Sequence, residues 1–304
     1  MSKVLIAVDK SGSYRVYLTI TTDLVEEARS LHDITPLATA SLGRVLTGAG
    51  IMSIMLKNPK DRLTVMFKGD GPAKQILAVG TGDGSVKGYI ADPKVDLPLT
   101  KEGKLDVGGA LGVGELTVIK DMGLKEPYVG TIALVSGEIA EDLTAYHYIS
   151  EQQNTSIALG VKVGREWQVL TAGGMFIQML PGAQEEAIDA IEEILTKMKP
   201  ITTLVAEGAV SAGGKTEEEV LEDLLGKIFC DIPQEYTPKA LEYREIKWRC
   251  DCSKERMERA LMAIGRSDLE EILTEDRQAE LECHFCGSKY GFTEEELQKM
   301  IEEI

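Results

Sequence analysis

Near the end of the chain, four cysteines fall into a C-x-C pair, Cys250 and Cys252, and a C-x-x-C pair, Cys283 and Cys286, with 30 residues between them. Short spacing within each pair lets one turn present two sulfurs. Four thiolates can close a tetrahedral zinc site with metal–sulfur distances near ~2.3 Å. The stretch between the pairs, SKERMERALMAIGRSDLEEILTEDRQAELE, holds two helical patterns broken at Gly265-Arg266-Ser267, so it can fold back and bring the pairs together. The spacing therefore points to one Zn2+ held by Cys250, Cys252, Cys283 and Cys286. A module of this size has too little apolar surface to stand alone, and metal would supply on the order of 10 kcal/mol of its folding free energy. Losing the metal should unfold it, which makes the module a potential switch.

The chemistry of the sulfurs bears on that idea. Metal keeps them as thiolates, the species that oxidants attack. Oxidation removes the ligands, and two disulfides can then form between neighbours, Cys250–Cys252 and Cys283–Cys286. A disulfide across one intervening residue departs from relaxed geometry and should reduce readily. An ordinary structural zinc site is the competing reading. His284 lies inside the second pair, but four thiols already suffice, so it is expected beside the ligands or in solvent. Cys230 stands alone at the end of an apolar helix, where burial is the default. His32 and His147 show no metal or triad spacing.

Composition narrows the rest. The chain has 304 residues and a net charge of −17, from 33 basic and 50 acidic residues. Such a surface repels phosphate backbones and anionic headgroups, so neither nucleic acid nor membrane is expected as a partner. The start, MSKVLIAVDKSGS, lacks a signal-peptide core, and the most apolar stretch, Val45 to Leu56, is too short to span a bilayer. A cytoplasmic protein is expected. Thiols there stay reduced, which favours metal or redox chemistry over structural disulfides.

The remaining sequence reads as α+β. KVLIAVD and YRVYLTIT are strands joined by Lys10-Ser11-Gly12-Ser13. Thr22 or Asp23 can cap a helix through LVEEARSLH, and a long apolar helix rich in small residues follows Pro36. Its Gly43, Gly48 and Gly50 lower helix propensity but permit close approach. RLTVMFKG, KQILAVG and SVKGYIA suggest an antiparallel meander that TVIKDMG and TIALVSG continue. A helix near EIAEDLTAYHYISEQQ, a hairpin from SIALGVKVG and WQVLTAGGMFIQML, and a helix from Gln184 to Met198 come next. Strands and helices without regular βαβ alternation argue for a large mixed core domain with an antiparallel sheet, plus the small C-terminal zinc module. The expected divisions are a core over 1–229, a charged, proline-bearing linker over 230–247, the tetra-cysteine module over 248–291, and a short acidic helix over 292–304 capped by Thr293.

No catalytic constellation stands out. EGAVSAGGKT, residues 207–216, has five residues between Gly208 and Gly214 where a phosphate loop needs four before its Gly-Lys pair. It reads as a glycine-rich turn before a helix capped by Thr216. No nucleophile elbow and no pair of catalytic carboxylates appears, so no catalytic residue is assigned and an enzyme is not expected.

The quartet resembles that of the redox-regulated holdase chaperones known as the 33 kDa chaperonin family. The likeness runs through nearly the whole chain: ASLGRVLTGAGIMSIMLK, KGDGPAKQILAVGTGDGSVKGYI, VIKDMGLKEPYVG, LVSGEIAEDLTAYHYISEQ, AGGMFIQMLPG, ITTLVAEG, RCDCSKERMERAL and CHFCGSKYGFTEEEL all look like family segments. Extra residues around GAVSAGGKT depart from the pattern, away from the cysteines. The resemblance implies an inactive, reduced, zinc-bound form. Oxidation would join the cysteines in two disulfides and expel zinc, and the module and linker would unfold. The exposed apolar surface would hold unfolding client proteins without ATP, and the active form would be a homodimer whose core domain binds clients and dimerises. Two other readings stay open. A zinc-ribbon nucleic-acid binder is opposed by 7 basic against 10 acidic residues over 248–291. An enzyme with a purely structural zinc would turn over a small molecule while reduced.

Overall fold

The computed structural model describes residues 2–210 and 213–304. They form two compact units, one ending at Trp248 and one spanning Arg249–Ile304. The first opens with the expected hairpin, β1 (Ser2–Asp9) and β2 (Tyr14–Ile20), followed by α1 (Thr22–His32) and α2 (Pro36–Ile54). Next come β3 (Arg62–Gly69), β4 (Gln75–Thr81), β5 (Ser85–Ile90), α3 (Val107–Leu111), β6 (Gly114–Asp121), β7 (Tyr128–Ala133) and α4 (Ala140–Ile149). The hairpin β8 (Thr155–Val163) and β9 (Val169–Met179) precedes α5 (Glu185–Lys197), α6 (Ile201–Val210), α7 (Glu217–Ile228) and β10 (Pro238–Trp248).

All ten strands join one sheet in the order β7-β6-β3-β4-β5-β10-β1-β2-β9-β8. Every neighbouring pair is antiparallel except β5 and β10, which run parallel through Lys247↔Ser85 and Trp248↔Val86. The fold is the α+β class expected. The meander stops at β5, however, because β6 pairs back onto β3, with Val65 opposite Val118.

Alternation along the strands divides the apolar residues between two cores. Val4, Ile6, Tyr17 and Phe176 face one core with α2. Leu5, Ala7, Val16, Leu18, Met175 and Ile177 face the other with α5, α6 and α7. Covering both faces explains why β1 is an almost unbroken apolar run. In α2, every residue from Leu37 to Ile54 is buried except Arg44. Thr35 caps it by accepting from the Ala38 amide at 3.3 Å, with Pro36 in the first turn. Its glycines make room for neighbours: a Cβ on Gly43 would lie 2.6 Å from Val25 Cγ1, and one on Gly48 2.8 Å from Leu143 Cδ1.

Several expectations need correction. Residues 238–248 are not linker but strand β10, paired with β1 from Ser2↔Ile246 to Asp9↔Pro238. The core unit therefore continues past residue 229 to Trp248. The charged side chains of β10 stay mostly exposed while its backbone satisfies the sheet, so its composition imitates a linker. Thr21, not Thr22 or Asp23, precedes α1, and its side chain makes no cap bond. Cys230 is exposed, because it follows the last buried turn of α7. In the 207–216 segment, Ser211 and Ala212 lie outside the described residues. Helix α6 runs into the segment as far as Val210, where a phosphate loop needs a strand before it.

The second unit contains α8 (Lys254–Met262), α9 (Arg266–Glu275), β11 (Ala279–Glu282), β12 (Lys289–Phe292) and α10 (Glu294–Glu303). The break between α8 and α9 falls at Gly265, with φ +98°. Thr293 and Glu296 form a capping box that starts α10. This last helix is no appendage: Leu297, Met300 and Ile301 pack with Leu261, Leu269 and Phe292 into the unit's own small core.

Candidate metal centre

Two short backbone devices carry the four sulfurs. Cys250 and Cys252 sit in the extended segment just before α8, whose first turn is fixed by Ser253 Oγ accepting from the Arg256 amide at 3.3 Å. Cys283 and Cys286 sit in the turn between β11 and β12. There the Cys286 and Gly287 amides donate to the Cys283 carbonyl at 3.2 and 2.8 Å, and the Cys283 amide donates to Ser288 at 2.9 Å. Gly287 closes the turn at φ +68°, a conformation that glycine adopts without strain. The strand register, Glu282↔Lys289 and Leu281↔Tyr290, anchors that turn on both sides.

The four sulfurs lie within 4.8 Å of one another. Cys250 Sγ is 3.7 Å from Cys283 Sγ, and Cys252 Sγ is 3.3 Å from Cys286 Sγ. A tetrahedron with ~2.3 Å metal–sulfur bonds has sulfurs about 3.8 Å apart. The cluster thus has the donor set and nearly the spacing of a tetrathiolate site, and it fits a zinc and redox centre. Cys283 is buried and the other three are half-buried, so the centre is held by protein yet open to small reagents.

Electrostatics sort the thiols. Burial pushes Cys250 and Cys283 up. Burial opposes ionisation of Cys286 as well, but hydrogen bonding with Ser288 and the neighbouring sulfurs outweighs it and brings that thiol to about 7. A bound cation would favour thiolate at all four positions. Around the centre, Arg256 pairs with Asp251, and Lys254 reaches Glu296 at 2.6 Å.

The structure brings together all four cysteines that the sequence singled out. His284 is exposed and outside the cluster. His147 is buried in the first unit, its Nδ1 2.8 Å from the Leu143 carbonyl, and His32 Nε2 lies 3.1 Å from the Gly88 carbonyl. Two residues at the centre escaped the sequence reading. The Tyr290 hydroxyl donates to Cys252 Sγ at 3.1 Å, and Ser288 Oγ lies 3.3 Å from Cys286 Sγ. The strand period was the available signal: a C-x-x-C turn at a hairpin returns nearby side chains toward the metal side.

The family model described as Hsp33 protein matches residues 2–293. The chain belongs to the Hsp33 family. Among its relatives, the 33 kDa chaperonin of Clostridium perfringens is 46% identical over 303 residues, covering 99% of this chain and 91% of that one. The 33 kDa chaperonin of Ruminiclostridium cellulolyticum is 43% identical over 292 residues, covering 96% and 95%. The crystal structure of the 33 kDa chaperonin (heat shock protein 33 homologue) of Thermotoga maritima superposes with a TM-score of 0.84 at 34% identity, covering 99% of this chain and 98% of that one. Membership in the Hsp33 family places the chain among chaperones, a class that works by binding other proteins.

Proposed function

We propose that the chain is a redox-regulated, ATP-independent holdase. In this reading Cys250, Cys252, Cys283 and Cys286 are both the ligands of one zinc ion and the sensors of oxidation. The observation that carries it is the convergence of four sulfurs within 4.8 Å in a unit whose own core is only a handful of side chains. Bound zinc would hold the sulfurs as thiolates and tie the segment before α8 to the β11–β12 turn.

The chain's residues then supply the switch. Cys250 and Cys252 on one side, and Cys283 and Cys286 on the other, each lose two electrons to an oxidant and join as neighbours. Sulfur in a disulfide no longer binds metal, so the tie between the two segments is lost. Leu261, Leu269, Phe292, Leu297, Met300 and Ile301 cannot hold the unit by themselves and become accessible. Because β10 belongs to the sheet, unfolding is proposed for 249–304 and not for a linker before it. Exposed apolar surface then holds unfolding clients against aggregation. The first unit would supply further client contacts and the homodimer interface of the active form. The acidic surface would keep client complexes dispersed and disfavours nucleic acid and membranes as partners. Thiols poised as sensors suit a cytoplasmic setting, where the resting state is reduced.

The test compares reduced and peroxide-treated protein in light scattering of an aggregating client, with zinc release followed in parallel. Suppression of scattering should appear only after oxidation and should track zinc release. Suppression by the reduced form alone, or by neither form, overturns the reading.

A further inference from the structure

Tyr290 stands on β12 opposite Leu281, and its half-buried ring packs against the apolar core of the second unit. Its position fixes the hydroxyl, which donates to Cys252 Sγ at 3.1 Å. Ser288 lies by the other pair, its Oγ accepting from Cys286 Sγ at 3.3 Å. Among the described residues, these two side chains alone bring a hydroxyl to the sulfurs, one to each pair.

We propose that Tyr290 is a positioning residue that slows oxidation of the Cys250/Cys252 pair, so that this pair closes later than it would by its thiols alone. The inference rests on the redox reading above. An O–H···S bond occupies a sulfur lone pair, and that bond must stretch or break before the sulfur can attack an electrophile. A peroxide takes two electrons from the pair in two steps. In the first, one sulfur attacks, the O–O bond breaks as an S–O bond forms, and hydroxide leaves. In the second, the other sulfur attacks the oxidised one, the S–S bond forms, the S–O bond breaks, and a second hydroxide leaves. Solvent protons convert both hydroxides to water. Cys252 is the nucleophile in one of these steps whichever sulfur reacts first. When Cys252 attacks the peroxide, the bond from Tyr290 slows the first step; when Cys250 reacts first, it slows the step that forms the S–S bond. Cys283 and Cys286 make no such bond to Tyr290, so the effect is confined to one disulfide.

The experiment uses the full chain, zinc-loaded under reductant, in wild type and Tyr290→Phe. Samples are treated with hydrogen peroxide, quenched with an alkylating reagent and resolved by mass spectrometry into the two pairs. The variant should form Cys250–Cys252 roughly threefold to tenfold faster, the size of one lost hydrogen bond, while Cys283–Cys286 forms at the wild-type rate. A ring-fluorinated tyrosine at position 290, a stronger donor on an unchanged ring, should slow the same pair below wild type. An unchanged rate in Tyr290→Phe, or equal acceleration of both pairs, overturns the proposal; the second result would mark general loosening of the unit. If the fluorinated residue fails to slow the pair, the hydroxyl is not the cause. Absence of any Cys250–Cys252 disulfide in wild type would instead overturn the redox reading, and this inference with it.

Discussion

Cys283 shows how much one side chain can decide. It is 5% exposed, its amide and carbonyl both build the turn, and its sulfur lies 3.7 Å from that of Cys250. A serine there keeps the turn's backbone bonds and removes only the soft donor. Cys283→Ser should lower zinc affinity by more than ~100-fold, beyond the loss expected for a partner outside the ligand shell, and abolish the dependence of client binding on oxidant. Competition with a chromogenic chelator measures the first, and normal redox regulation in the variant would refute the sensor role. In the first unit, His147 offers a pH test. Burial among Tyr146 and Phe176 depresses its pKa below the usual value. A depressed folded value means that the neutral ring contributes stability fully above the unfolded value of ~6.5. That contribution is lost as pH falls through the folded value, by up to ~1.4 kcal/mol per pH unit. His147→Phe should flatten the fall in stability as pH drops below ~6.5, as read from urea unfolding of the first unit; an unchanged slope would show that other groups set it.

Helix α10 carries a corresponding test at the scale of an element. Its capping box fixes where it starts, and Leu297, fully buried, fixes what it packs on. Leu297→Ala should destabilise the second unit by ~2–5 kcal/mol, and Thr293→Ala by about 1 kcal/mol. Both should lower the chelator concentration at which that unit unfolds, Leu297→Ala the more. Elements of this kind were legible from sequence because local chemistry sets them. Thr216, Thr293 and Gly265 mark helix ends, and the apolar content of α2 marks a buried helix. The cysteine spacing announced the centre. β10 was not legible, since its burial rests on Pro238 and Ile246 alone while backbone pairing with β1 does the remainder. Pairing partners distant in sequence leave no local trace. The same reason hid the return of β6 to β3, and hid Tyr290, whose bond to Cys252 depends on a hairpin register.

On the scale of the whole molecule, the two units differ in what holds them. The first has two apolar cores, one on each face of its central strands, and its sheet is held by main-chain pairing that needs no cofactor. The second has six buried apolar side chains and a cluster of four sulfurs. Small cores of that kind depend on a tie, and the tie's free energy, on the order of 10 kcal/mol for zinc in small modules, exceeds what such a core can supply. Stripping metal from the reduced protein should therefore act on one unit only. Hydrogen exchange after chelation should show amides of α8, α9, α10 and the β11–β12 hairpin losing most of their protection, while β1, β2, β9 and α2 keep theirs. Restoring zinc under reductant should restore protection, because no covalent change has occurred. Retained protection throughout 249–304 without metal would mean that the apolar core alone suffices, and the cysteines would then report oxidation without controlling the fold. Loss of protection in both units would mean instead that the sheet, β10 included, draws its stability from the metal.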